Sequence, residues 1–235
     1  MSNNALPLVP STPVAPTLTL GTVYTKTPVV LAEVTVQVNT VVPITFPAAI
    51  LEIKDVKKRL KVTESRLVLP TNKLFLSGFV RKNFQIALPY AGTTTDVQST
   101  LQSYTIDLPF AVVTDLTGKY LNAPVLPSNN TRAEIEYFTS SSLPTDFPEK
   151  DRLLAGDLSE FNQVSTEYFN ELPYCELISA TYTEMDEALG RVQGTVANVT
   201  TPPFEEGSFT TVQEKMAIDI TLKVLQLQQI RVTSA

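Results

Sequence analysis

The sequence predicts a mostly-β protein: an antiparallel β-sandwich or barrel-like domain with an extended N-terminal arm. Three observations carry that expectation. The 235 residues include 31 threonines and 25 valines, β-branched side chains that are stiff at χ1 and fit a pleated surface. Strict alternation recurs: Val34, Val36 and Val38 interleave with Thr35, Gln37 and Asn39, and Met216, Ile218, Ile220, Leu222 and Val224 repeat every second residue. Such a period of two puts one face in a core and the other in water. Strand-like runs are short and separated by proline-bearing turns, with 17 prolines against 8 glycines, which is the punctuation of a sandwich or barrel. No internal repeat of 20–50 residues is evident.

In chain order, residues 1–32 are expected to form the arm and 33–235 the β domain. The arm is nearly uncharged, Lys26 being its one charged residue, and prolines fall at 7, 10, 13 and 16. Its strand-forming side chains are Leu18, Leu20, Val23, Tyr24, Val29 and Val30. Residues 33–46 continue as strand. Residues 50–69 fit a helical spacing in part, but Leu67-Val68-Leu69 running into Pro70 favours strands. Pro70-Thr-Asn-Lys73 is a turn signal, so 62–88 reads as a hairpin. Residues 89–103 read as a loop or short edge, 104–116 as a strand pair interrupted at Pro109, and 134–140 as a strand. The acidic stretch 141–160 reads as an excursion with a short helix. Two strand candidates flank Pro173, residues 198–211 form a loop, and 214–232 is the best long strand.

Composition excludes much chemistry. With no histidine and one cysteine there is no Ser-His-Asp triad, no imidazole or thiolate zinc site and no internal disulfide framework. Neither glycine-rich phosphate loop motif occurs. The carboxylate pairs Asp186-Glu187, Glu205-Glu206 and Glu149 with Asp151 are neighbours in sequence rather than groups facing across a cleft, and the Asp-x-Asp-x-Asp spacing of a calcium loop is missing. No enzyme activity, metal or cofactor is therefore expected. Net charge is −6, which argues against nucleic acid. No run of about 18 apolar residues predicts a membrane span, and residues 1–20 lack the basic n-region of a secretory signal. Cys175 reads either as a small packed residue or as one half of an intermolecular disulfide.

Charge is polarised along the chain. Residues 52–82 hold nine basic residues against three acids, centred on the patch Lys54, Lys57, Lys58, Arg59 and Lys61; residues 133–187 hold thirteen acids against Lys150 and Arg152. Each charge alone reads as a solvated face. As a pattern, opposite poles suit head-to-tail association with a second copy, since complementary patches steer docking and fix register.

Residues 51–87 carry a more specific signal: Ile53-Lys54, Arg66-Leu67, Thr71-Asn-Lys-Leu-Phe75 and Gly78-Phe-Val-Arg-Lys-Asn83. With Tyr104 to Phe110, Cys175 to Ala180 and Glu214 to Ile230 following in order, the chain resembles the SPOCS-domain family of spore coat and exosporium proteins of endospore-forming bacteria. The match spans about 33–232, and 71–83 is its most specific block. The family pattern carries a cysteine near Ser65, which this chain lacks. The resemblance implies a non-enzymatic structural protein made in the mother cell and deposited on the spore surface. With the polarised charge and the uncharged, strand-prone arm, this points to a homopolymer such as a fibre, appendage or coat layer, in which the arm adds a strand to a neighbour. The alternative is an adaptor that docks other coat proteins or glycans without polymerising.

Overall fold

A computed structural model describes residues 13, 21–142, 145, 151–155, 161–193 and 207–233. Every element in it is a strand: β1 Thr22–Ile50, β2 Glu52–Val68, β3 Lys73–Gly92, β4 Val97–Asp115, β5 Thr131–Ile135, β6 Phe138–Ser142, β7 Asp151–Ala155, β8 Asn162–Thr166, β9 Tyr174–Leu189 and β10 Phe209–Thr233. Two three-stranded sheets, β1-β10-β9 and β2-β3-β4, form the body, and β5-β8 and β6-β7 are two separate two-stranded sheets. All pairings are antiparallel. Neither body sheet closes on itself, so the architecture is a sandwich.

The alternation seen in sequence builds the core. Met216, Ile218, Ile220, Leu222 and Val224 of β10 are buried, and they face Leu74, Leu76, Val80, Phe84 and Ile86 of β3. These two strands are the centres of their sheets, so each has a neighbour on both sides. Across the interior β1 packs on β3 and β4, and β2 on β9. Phe46 meets Phe84 and Tyr104 edge-on, each at 5.5 Å between ring centroids, the geometry favoured by the ring quadrupoles.

Prolines sort to places where a missing N–H is harmless. Pro28, Pro43 and Pro47 lie on edge strand β1 and Pro109 on edge strand β4. Pro89 lies in β3 beyond its last pairing with β2, Ala87 with Glu52. Strand β4 therefore runs through Pro109, which pairs with Phe79, where an interruption was expected. Residues 89–103 likewise belong mostly to β3 and β4, with the chain turning at Thr93–Asp96. The Thr93 hydroxyl accepts from the backbone N–H groups of Thr95 and Asp96, each at 3.2 Å. The polar composition there reflects an edge strand in water, not a loop. Of the stretch 141–160, where a short helix was expected, the described residues 151–155 instead form β7, paired with β6; residues 143–144, 146–150 and 156–160 lie outside the described residues. The strand expected at 134–140 is split between β5 and β6 at Glu136 and Tyr137, and the first candidate near Pro173 keeps a strand only at 162–166.

The turn at 70–73 is as expected. It opens on a cis Leu69–Pro70 bond and places Asn72 at φ 57°, a left-handed conformation that asparagine tolerates. Thr71 Oγ1 donates to the Val68 carbonyl at 2.6 Å, and Tyr120 Oη donates to Asn72 Oδ1 at 2.9 Å.

Candidate functional site: a buried charge cluster, strand edges and charged faces

Period two puts Lys82 of β3 on the inward face, between Val80 and Phe84, and Glu214 of β10 on the same inward face as Met216. Both side chains are fully buried. Lys82 Nζ donates to Glu214 Oε2 at 2.6 Å and lies 2.9 Å from Glu184 Oε1 and 3.9 Å from Asp186 Oδ2 of β9. Lys58 of β2 pairs with the other Glu184 oxygen. Lys82 Nζ also sits 5.1 Å from the Phe84 ring centroid, a favourable place for a desolvated cation. Two cations thus meet three carboxylates, and Glu214 Oε1 has no hydrogen-bond partner.

This imbalance shapes the acid–base properties. Burial pushes the carboxyls of Glu214 and Asp186 above their ordinary values, against the pull of Lys82. Burial acts on Glu184 in the same sense, but hydrogen bonds from Lys58 and Lys82 outweigh it and leave that carboxyl lowered. The cluster ties β2 and β3 of one sheet to β9 and β10 of the other. It lies between the sheets rather than in a cleft, and among the described residues no group of three His, Cys, Asp or Glu is disposed to hold a metal. Its chemistry is therefore that of an ionic tie that fixes how the sheets sit on each other. Sequence reading missed it. The available signal was a charged residue at a core-parity position, Lys82 in β3 and Glu214 in β10.

The expected site residues are distributed as follows. Lys58 of the basic patch turns inward to the cluster, and Lys54 pairs with Glu52. Lys57, Arg59 and Lys61 are exposed on the outer face of β2 and make no ion pair among the described residues. Beside them Arg81 makes a two-pronged contact with Asp107, both bonds 2.8 Å, which raises the guanidinium and lowers the carboxyl. Asp186 and Glu187 part to opposite faces, Asp186 to the cluster and Glu187 to Lys215 at 3.2 Å. Glu149, Glu205 and Glu206 and the side chain of Asp151 lie outside the described residues. Among the described residues, then, only Lys58 and Lys82 of the basic stretch pair with acids of the acidic one.

Leu18 and Leu20 also lie outside the described residues. Val23, Tyr24, Val29 and Val30 belong to β1 and pair within the chain with Val232, Arg231, Gln226 and Leu225 of β10. Cys175 is half-buried on β9; burial raises its thiol pKa, against a smaller lowering by the Ser65 hydroxyl of β2. A thiol held protonated is slow to form a disulfide.

The four body edges differ in their protection. Edge β1 has three prolines and a bulge at Leu31, β2 has two bulges and a row of basic side chains, and β9 has a bulge at Ile178 and four acids. Prolines, bulges and charges are the devices that keep edges from pairing. Strand β4 has neither a proline nor a charged residue from Val97 to Ile106, and the one register shift of its pairing lies on Tyr90 of β3.

Comparison with known proteins then decides the family. Exosporium protein C of Clostridium sporogenes is 32% identical to this chain, over 99% of the chain and 84% of that protein. The chain belongs to the exosporium protein C family. Membership in this family sets the sandwich among spore-surface proteins. No family model matches, so the SPOCS likeness stays a resemblance. No solved structure matches either.

Proposed function

We propose that the protein is a non-enzymatic structural subunit of the endospore surface that assembles with copies of itself, head to tail, into a fibre, appendage or exosporium layer. Residues 1–20 of one subunit lie along the open β4 edge of the next. The observation that carries this reading is that edge, ten uncharged residues from Val97 to Ile106 without a proline, the one register shift of its pairing falling on Tyr90 of β3, opposite Gln98 and Ser99. Such an edge offers main-chain hydrogen bonds to an incoming strand. The arm is equally uncharged over its first twenty residues. At about 3.3 Å per residue it reaches some 60 Å when extended, far enough to cross to a neighbour. The family relation supports the spore surface as the place of assembly, and other exosporium or coat proteins are further partners on this reading.

Deleting residues 2–20 is expected to leave a folded monomer and abolish polymers, read by circular dichroism, sedimentation and negative-stain microscopy. Leu101→Lys and Ser103→Lys together, both exposed positions of β4, are expected to do the same by guarding the acceptor edge. Polymers that form unchanged after the deletion would exclude the arm.

A further inference from the structure

A primary amine and a carboxyl group meet at contact distance in the apolar interior, and these are the two reactants of an amide bond. Lys82 Nζ lies 2.6 Å from Glu214 Oε2, and both side chains are fully buried. A hydrogen bond of that length leaves Nζ roughly 3–3.5 Å from the carboxyl carbon, which is the near-attack range. Val80 and Phe84 flank Lys82 on the inward face of β3, and Met216 follows Glu214 on that of β10; all three are buried. Holding the two groups in place removes the entropy of encounter that slows the reaction of free amines with free acids.

An amine attacks when neutral, and a carboxyl is attacked when protonated. One proton transfer supplies both states. A proton that crosses the 2.6 Å bond from Nζ to Glu214 turns two desolvated charges into two neutral groups, which an apolar pocket holds more easily. Burial, which raises the Glu214 carboxyl, acts in the same direction. Glu214 Oε1 has no hydrogen-bond partner, a state more costly for a charged carboxylate than for an amide carbonyl.

A third group can carry the second proton. Glu184 Oε1 is 2.9 Å from Nζ, and Lys58 holds the other Glu184 oxygen. Burial raises this carboxyl, but Lys58 and Lys82 outweigh it and leave it lowered, so it remains a base. A carboxylate within hydrogen-bond reach can take a proton from the attacking group and hand it to the leaving one. Asp186 Oδ2 stands further off, at 3.9 Å.

We propose that Lys82 and Glu214 condense into an intramolecular amide that joins β3 to β10, with Glu184 relaying the proton. The Nζ lone pair forms the N–C bond to Glu214 Cδ, and the carbonyl pair moves onto oxygen. Glu184 takes a proton from Nζ and gives it to the Glu214 hydroxyl. The C–O bond to that hydroxyl breaks as the carbonyl re-forms, and water leaves. The balance needs no oxidant and no co-reactant. The ion pair is the state before reaction, and the titration of Glu214 belongs to that state. The link ties the central strands of the two sheets across a separation of 132 positions. It forms within one subunit and is independent of how subunits assemble.

Intact mass spectrometry of the full-length chain, incubated at neutral pH, tests the bond. The parent is expected to weigh one water less than its sequence. Its tryptic digest is expected to hold a branched peptide in which Lys82 is uncleaved and joined to the segment containing Glu214. Lys82→Arg keeps the cation without the nucleophilic amine, and it and Glu214→Leu are both expected to keep the full sequence mass. Glu184→Gln, with circular dichroism like the parent's, is expected to form the link roughly a hundredfold more slowly. A parent that stays at full sequence mass overturns the proposal. So does a branched peptide joining Lys82 to any other residue, or a water loss that persists in Lys82→Arg. A Glu184→Gln chain that links at the parent's rate overturns the relay.

Discussion

Lys82 holds a full positive charge where the two-residue period of β3 otherwise reserves space for aliphatic and aromatic side chains. The energetic consequence follows from its partners. Removing one member of a buried pair leaves the other charged and uncompensated, at a cost of about 3–5 kcal/mol. Lys82→Met is therefore expected to lower stability by about that much near neutral pH in chemical denaturation, and Lys82→Met with Glu214→Leu to recover more than half of the loss. The cluster also gives stability a pH dependence. Glu214 and Asp186 have raised carboxyls, so between the ordinary carboxylate range and those raised values the folded chain holds more protons than the unfolded one. Their contribution is complete below the ordinary range and is lost as pH rises through the raised values. Glu184 and Asp107 are lowered, so theirs is present above the ordinary range and lost as pH falls through the lowered values. Glu214→Gln keeps a partner for Lys82 and removes one titration. It should flatten the decline of stability between mildly acid and neutral pH, measured from denaturation midpoints across that range; an unchanged slope would show that Glu214 does not titrate there.

At the scale of elements, edge position explains where sequence reading succeeded and where it failed. Strand β10 was legible because it is central to its sheet, so its alternation between buried and half-buried side chains is uninterrupted from Val212 to Val224. Strand β4 was not, because an edge strand in water needs little apolar alternation: residues 98–103 are all exposed, and Pro109 is tolerated. The hairpin at 62–88 was legible from its turn, although β2 begins at Glu52, earlier than the hairpin signal. The pairing of β9 with β10 could not be read from sequence, because it depends on contacts distant along the chain. The same distance hid the charge cluster, whose members come from four strands. Close strand approach makes its own demand at Gly78. A Cβ there would overlap the Lys61 carbonyl and come within 2.9 Å of Val62 Cα, beside the β2 bulge between Val62 and Glu64. Gly78→Ala forces backbone of two strands apart and is expected to cost about 1–3 kcal/mol, read as a lowered denaturation midpoint; a midpoint equal to the parent's would mean the bulge yields freely.

For the whole molecule, the sheets are held together by a continuous apolar interior with ionic ties across it, and in the unreacted chain no covalent link joins them. Strand β2 packs on β9, and Ser65 lies near enough to Cys175 to bear on its thiol, which is the place to try such a link. Ser65→Cys is expected to form an internal disulfide on oxidation and to raise stability by about 2–4 kcal/mol. A faster-migrating band on non-reducing gels and a higher melting temperature than the reduced form check this, and oxidised dimers in place of that band would show that the two sulfurs do not meet within one subunit. On the proposed self-assembly, the durability of a layer would rest on packing and strand pairing, with Cys175 able to supply at most one bond per subunit.

The first pair in the register of β1 with β10 joins Thr22 to Thr233, so the two ends of the described sandwich emerge side by side at one corner. The Thr93–Asp96 turn lies at the opposite end, beyond the strand ends where β1 passes into β2. The polypeptide can therefore be rewired. A circular permutant that joins 233 to 22 through a short linker and opens at Thr94 should keep the same core, as chains with adjacent ends commonly do. It also changes the geometry of display. Cargo fused after Thr233 would crowd the root of the arm, whereas cargo inserted at Thr94 would stand about a strand length away. Two fusions of identical mass would thus mark opposite ends of each subunit in a micrograph, and in the proposed polymer the spacing between the two labels would give the direction in which the subunits are strung.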